Sequence, residues 1–131
     1  FARQAKLNNR EVVIFNGPDE QFVGGRMIGA EGGIGGTYGV MPELFVTLNN
    51  MINNNDVANA GALQDDINEV IYTMCSTKGN MYATAKAALK KRAGLELGGV
   101  REPLLNLQDG DEVIVDKVVD LVETAVAKWV K

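Results

Sequence analysis

Histidine is absent from this sequence, and Cys75 is its only cysteine. A single cysteine excludes an intrachain disulfide, and a zinc site built from cysteine and histidine lacks its ligands. The commonest general base at neutral pH is missing as well. Because Cys75 falls within a helical pattern, we interpret it as a small buried apolar residue rather than a nucleophile.

Long apolar runs and basic clusters are also scarce. No run reaches the roughly 18 residues of a membrane-spanning helix, and no signal-peptide pattern is present. The net charge is −4, and Lys90-Lys91-Arg92 is the one contiguous basic group, which argues against nucleic-acid binding. These features predict a cytoplasmic protein without membrane or nucleic-acid partners. Phe1 in place of methionine favours a segment of a larger protein.

What the sequence does contain is an alternation of strand-like and helix-like segments. Its 131 residues, 46% of them apolar, suffice for a hydrophobic core. The apolar run 12–15 predicts a strand buried on both faces, and Ile34, Thr37 and Tyr38 predict a second strand. Such alternation indicates a parallel sheet, and two buried strands need neighbours from elsewhere. We therefore expect their open edges to make copies of the chain associate or exchange strands.

The helices are predicted from apolar periodicity and from residues typical of helix ends. Pro42 suits a first turn, Asp56 and Asn80 are suitable N-caps, and Gly79 is a stop signal. The predicted helices cover 1–9, 18–28, 42–53, 56–77, 80–92 and the chain from residue 111. The last helix is expected to bury Ile114, Val118, Leu121, Val122, Ala125 and Trp129.

Two segments would follow the carboxyl ends of the predicted strands, namely 16–20 and 35–39. Glycines there let a ligand approach the backbone, and Asp19 and Glu20 could accept hydrogen bonds from ligand hydroxyls. Two structural alternatives stand beside this interpretation. The carboxylates could complement a helix dipole, and the glycines could serve packing and turns. A phosphate loop fits poorly, because neither GxGxxG in register nor GxxxxGK[ST] is present.

The stretch VIFNGPDEQFVGGRMIGAEGGIGGTYGVMPELF resembles the N-acetylneuraminate lyase branch of the dihydrodipicolinate synthase family. NGPDE is similar to that branch's G-x-D-E, and GAEGGIGGTY to its GADGGIGSTY. The resemblance covers nearly the whole chain and is strongest over 12–45. It implies an α/β fold: the last two strand–helix units of a TIM (β/α)8 barrel in residues 1–55, then a three-helix C-terminal extension in residues 56–131.

The resemblance also implies a chemistry. Members of the family form a Schiff base between pyruvate and a lysine, and make or break a carbon–carbon bond by an aldol step, without a metal or a separate cofactor. The lysine and a proton-shuttling tyrosine belong to upstream strands, so this chain is expected to lack them and to be inactive alone. Tyr38 is not expected to be that tyrosine.

By the same resemblance, the Gly17 carbonyl, Asp19 and Glu20 match positions that hold a polyhydroxylated sugar-acid chain, with Gly35 and Gly36 beside them. Gly36 replaces a usual serine and Gly39 a common asparagine, so the exact substrate stays open. The partners implied are a sugar acid, pyruvate and copies of the same chain, usually in a homotetramer. The alternatives are a dihydrodipicolinate synthase or another keto-acid aldolase, and a non-catalytic half-barrel that serves assembly.

Overall fold

A computed structural model describes residues 1–9 and 12–130. Arg10 and Glu11, the predicted boundary of the first strand, lie outside the described residues. The chain folds in this order: α1 Ala2–Leu7, β1 Phe15–Asn16, a 3-10 turn Asp19–Gln21, α2 Phe22–Met27, β2 Gly32–Gly33, α3 Pro42–Asn53, α4 Val57–Cys75, α5 Met81–Ala93 and α6 Asp111–Trp129. The predicted α/β alternation is confirmed, and helices make up most of the described chain.

The two strands pair in parallel, as their alternation with helices predicts. Phe15 lies opposite Gly32, and Asn16 lies opposite Gly33. Gly32 leaves room for the neighbouring ring, since a Cβ there would lie 3.2 Å from the Phe15 side chain. The pairing brings the carboxyl ends of both strands to the same edge of the sheet.

The strands are shorter and more exposed than predicted. Val12 and Val13 precede β1 and are about half exposed, so the expectation of a strand buried on both faces is wrong for this chain. Ile34 is 68% exposed, and Thr37 and Tyr38 lie beyond β2 rather than within it. The reason is that, among the described residues, this sheet has only two strands, so nothing covers its outer edges.

The N-caps predicted at Asp56 and Asn80 are confirmed, whereas the helix predicted from Pro18 begins as a 3-10 turn at Asp19 and becomes α-helical only at Phe22. The Asp56 carboxylate accepts a hydrogen bond from the Asn59 amide at 3.4 Å, and Asn80 Oδ1 accepts one from the Tyr82 amide at 3.0 Å. Helix α4 ends at Cys75, two residues before its predicted end at about Thr77. It ends early because the Ser76 and Thr77 hydroxyls donate to carbonyls of its last turn.

Apolar side chains of α3, α4 and α6 form the centre of the core, and those of α5 pack against them. The largest fully buried members of this core include Leu44, Leu48, Leu63, Ile67, Met74, Val118 and Val122. In α6 the buried set is Val115, Val118, Val122 and Ala125, whereas Ile114, Leu121 and Trp129 are only partly buried. The prediction for this helix was therefore one residue out of phase at its start.

Cys75 is exposed, so the prediction of a buried residue is wrong. It is the last residue of α4, where Ile71 and Met74 already occupy the side that faces the core. Across the described part of the chain, every helix is too short or too polar to cross a bilayer.

Candidate functional site

The carboxyl ends of β1 and β2 bring the two predicted site segments together. Gly17 to Gln21 follow β1, and the Gly35–Gly36 pair lies just beyond β2. In parallel α/β sheets this edge is the usual place for ligands. The site is therefore formed by two short connections on neighbouring strands.

A carboxylate of the first connection holds the second. Asp19 is buried, and its Oδ2 accepts hydrogen bonds from the Thr37 amide at 2.8 Å and from the Thr37 hydroxyl at 2.6 Å. Thr37 is itself 2% exposed. The helix-dipole alternative does not by itself describe this arrangement, because the Asp19 carboxylate ties the two connections together through Thr37.

The glycines of the site differ in what surrounds them. A Cβ at Gly35 would overlap the Asp19 carboxylate, and a Cβ at Gly36 would lie 2.9 Å from the Tyr82 ring and 3.2 Å from the Tyr82 hydroxyl. Gly17 and Gly39, in contrast, have nothing within 4 Å of such an atom. Packing thus accounts for Gly35 and Gly36, and open space lies beside Gly17 and Gly39.

Two residues of the site gave no signal in the sequence. Tyr82 reaches Gly36 from the first turn of α5, and the buried Gln64 of α4 donates a hydrogen bond to the Asp19 carbonyl at 3.2 Å. Both follow the strands by many residues and lie in ordinary helical patterns. Only the packing of the helices against the strand ends identifies them.

The raised pKa values of Tyr38 and Cys75 argue against a Tyr38 phenolate and against a nucleophilic Cys75 thiolate. Burial, and then the nearby charge of Asp19, raises the pKa of Tyr38 to about 12, so its hydroxyl holds its proton at neutral pH. Burial, and then the charge of Glu20, raises the pKa of the Cys75 thiol. A thiol with a raised pKa is a poor nucleophile. Glu20 itself is half-buried and lies close enough to Cys75 for its charge to act there.

Comparison with known proteins places this geometry in a family. Residues 2–122 match the dihydrodipicolinate synthetase family. The chain belongs to this family. It is 55% identical over 119 residues to an N-acetylneuraminate lyase from Mediterraneibacter gnavus, an alignment that covers 91% of this chain and 38% of the relative. The resemblance inferred from the sequence is thereby confirmed.

Solved structures from the family share the fold. A catalytic-lysine mutant of Ruminococcus gnavus sialic acid aldolase aligns with a TM-score of 0.96 at 50% identity, over 98% of this chain and 42% of the aldolase. The wild-type aldolase aligns with a TM-score of 0.92 at 48% identity, over 99% of this chain and 44% of the aldolase. The chain therefore spans well under half the length of these relatives.

The described lysines of this family member lie outside the connections that follow β1 and β2. Those in the described residues lie in helices or, for Lys78, in the turn between α4 and α5. Lys86 donates to the Gly99 carbonyl at 2.6 Å, and hydrogen bonds to Asp116 and Glu112 raise the pKa of Lys91. An amine that attacks a carbonyl needs the opposite shift. Within the described residues, no cluster of three or more acidic or cysteine side chains is placed to hold a metal ion.

Proposed function

We propose that this chain is the C-terminal part of a Schiff-base aldolase that cleaves a 2-keto-3-deoxy sugar acid to pyruvate and an aldehyde sugar, most like N-acetylneuraminate lyase. The observation that carries the proposal is the Asp19–Thr37 contact at the carboxyl ends of two parallel strands. It occurs in a chain 55% identical to an N-acetylneuraminate lyase.

The chain would supply strands seven and eight of a TIM barrel in residues 1–55 and a helical extension in residues 56–131. Two findings support this division. The apolar side chains at the strands, such as Val13 and Phe15, are about half exposed and lack covering strands among the described residues. The alignment also covers only 38% of the related lyase. The rest of the barrel would cover these side chains.

The reactive lysine would come from the rest of the barrel. Its amine condenses with the keto group, and the iminium accepts the electron pair of the carbon–carbon bond as that bond breaks. The hydroxyl of the departing aldehyde carbon gives up its proton, and the enamine is then protonated and hydrolysed to pyruvate. This chemistry needs neither a metal nor a separate cofactor. The lysine environments in this chain support the assignment, since those described lie on helices or in a turn.

This chain would bind the sugar-acid end of the substrate. Gly17 is exposed, with open space where a Cβ would lie, so its carbonyl would be offered to the substrate, and half-buried Glu20 would offer its carboxylate to substrate hydroxyls. Asp19 would hold the Gly35–Gly36 connection in place through Thr37. The whole protein would be a homotetramer, as the resemblance implies, and cytoplasmic, as the composition predicts.

The test measures pyruvate release by the whole protein that carries this chain, with N-acetylneuraminate and related 2-keto-3-deoxy sugar acids as substrates. We expect cleavage, and we expect Glu20→Gln to raise KM for the sugar acid about tenfold, since a hydrogen bond to a charged group is lost. Glu69→Gln, on the exposed side of α4, is the matched control.

Two results would contradict the proposal. Condensation of pyruvate with aspartate semialdehyde, without sugar-acid cleavage, would assign the protein to the synthase branch. Ordered oligomers that bind no substrate would indicate an assembly module.

A further inference from the structure

The side chain of Gln64 is buried in the middle of α4, among apolar residues such as Leu63 and Ile67. A buried amide is costly unless its polar atoms are hydrogen-bonded. Both polar atoms of the Gln64 amide have hydrogen-bond partners. Gln64 Oε1 accepts from the Val23 amide at 3.1 Å, and Nε2 donates to the Asp19 carbonyl at 3.2 Å and to Asn68 Oδ1 at 3.0 Å.

One of these bonds serves the Val23 amide, and another adds to the Asp19 carbonyl, which also accepts a hydrogen bond from the Phe22 amide in the 3-10 turn. The Val23 amide lies in the first turn of α2, where amides have no partner inside the helix. Gln21 precedes α2 and makes no side-chain capping bond in the described structure. Gln64 therefore caps α2 from another element, and it binds both ends of the segment from Asp19 to Val23.

The same segment carries the acidic residues of the site. The Asp19 backbone is held by Gln64 from one side, and its carboxylate is held by Thr37 from the other. We propose that Gln64 is a positioning residue for Asp19 and Glu20, so that the helical extension sets the geometry that recognises the polyhydroxylated part of the substrate. The identity of the substrate in this proposal rests on the proposed function. The positioning of Asp19 and Glu20 rests on the hydrogen bonds of Gln64 and Thr37.

The experiment compares Gln64→Met with Asp66→Asn in the whole protein. Methionine keeps a similar volume and removes the three hydrogen bonds. Asp66 lies two residues further along α4 and instead anchors the end of α6, where it accepts from Trp129 Nε1 at 2.6 Å and from Lys128 Nζ at 2.8 Å. The control therefore disturbs the same helix without touching the site.

We expect Gln64→Met to raise KM for the sugar acid about fivefold, the factor that one net hydrogen bond contributes. The KM for pyruvate in the synthetic direction should change less than about twofold, because under the proposed function pyruvate binds to the rest of the barrel. Asp66→Asn should lower the thermal unfolding midpoint and leave both KM values unchanged. Amide hydrogen exchange over residues 19–23 should be faster in Gln64→Met and unchanged in Asp66→Asn.

The hydrogen-exchange measurement tests the positioning role of Gln64 independently of the proposed aldolase function. If the wild-type protein cleaves no sugar acid, the proposed function fails, and faster exchange over residues 19–23 in Gln64→Met still supports the positioning of this segment by Gln64. Unchanged exchange in Gln64→Met would overturn that positioning. Faster exchange with an unchanged sugar-acid KM would overturn its role in recognition.

Discussion

At the scale of single residues, the site depends on the space and the hydrogen bonds that surround the buried carboxylate of Asp19. Asp19 fills the space that a side chain at position 35 would need, and its Oδ2 receives both hydrogen bonds from Thr37. Gly35 is thus explained by a close approach and not by an unusual backbone angle. Tyr82 fills the corresponding space beside Gly36.

Gly35→Ala should lower the free energy of unfolding by about 1–3 kcal/mol, because the added methyl group must displace a buried, hydrogen-bonded carboxylate. Urea unfolding of the 131-residue chain measures the change. Gly39→Ala is the matched control, since a Cβ there has nothing within 4 Å. Equal stability of the two variants would contradict the close contact between Asp19 and Gly35.

Asp111 should make stability depend on pH. It is buried, and hydrogen bonds from the Gln108, Lys78 and Gly79 amides hold its pKa below the ordinary value of 3.8. A depressed pKa in the folded state adds stability above the unfolded-state pKa, and this stability is lost as the pH falls through the folded-state value. Asp111→Asn should therefore be less stable than the wild type at pH 7.

The measurement for Asp111 is the thermal unfolding midpoint between pH 7 and pH 2. The difference between the wild type and Asp111→Asn should narrow below about pH 4, where the unfolded carboxyl becomes protonated. Asp120→Asn makes the same change of carboxylate to amide at an exposed position of the same helix and is the control. A constant difference across the range would show that the charge of Asp111 plays no part.

At the scale of elements, the side chains of Asp56 and Asn80 cap the starts of α4 and α5. Asn80 caps α5 through the Tyr82 amide, and the Asn80 amide donates to the Leu105 carbonyl at 2.9 Å. The start of α5 is thereby tied to the loop before α6. Because Tyr82 lies in this first turn, the cap also determines where its ring meets Gly36.

Asn80→Ala should cost about 1 kcal/mol of unfolding free energy, since the Tyr82 amide loses its capping partner. Asn50→Ala, at an exposed position of α3, should be neutral or slightly stabilising because alanine has the higher helix propensity. Chemical denaturation of both variants tests this difference. A neutral Asn80→Ala would mean that the loop contact alone fixes the start of α5.

At the scale of the whole molecule, the helical part is well packed and the sheet is not. The core of α3, α4 and α6 is closed, whereas Phe15 and Ile34 beside the strands are more than half exposed. A sheet with uncovered apolar edges favours pairing with another chain.

We expect the isolated chain to associate through these strands. Sedimentation over a range of concentrations measures this, and Phe15→Lys should weaken association by placing a charge at the edge. Tyr72→Lys, which changes an exposed aromatic residue on α4, is the control. A compact monomer at all concentrations would contradict the expectation.

The isolated chain should also form no Schiff base with pyruvate. Incubation with pyruvate, reduction with borohydride and intact-mass measurement tests this, with the whole protein as the positive control. A single stoichiometric adduct on this chain would show that one of its eight lysines is activated. The assignment of the reactive lysine to the rest of the barrel would then be wrong.

The sequence by itself determined that the helices are present, the N-caps of α4 and α5, and the parallel pairing of the strands. These features depend on interactions within a few residues, such as Pro42 at the start of α3 and Asn80 at the start of α5, or on the order of the elements. The family resemblance also followed from the sequence, because its motif is contiguous.

The tertiary structure alone decided which residues complete the site and which strand residues are covered. Asp19 meets Thr37 across 18 residues, and Gln64 meets Asp19 across 45. Neither the burial of Gln64 nor the contact of the Tyr82 ring with Gly36 produces a pattern that can be recognised in the sequence. The exposure of Val12, Val13 and Cys75 likewise depends on which elements pack beside them, because burial is a property of neighbours and not of the residue.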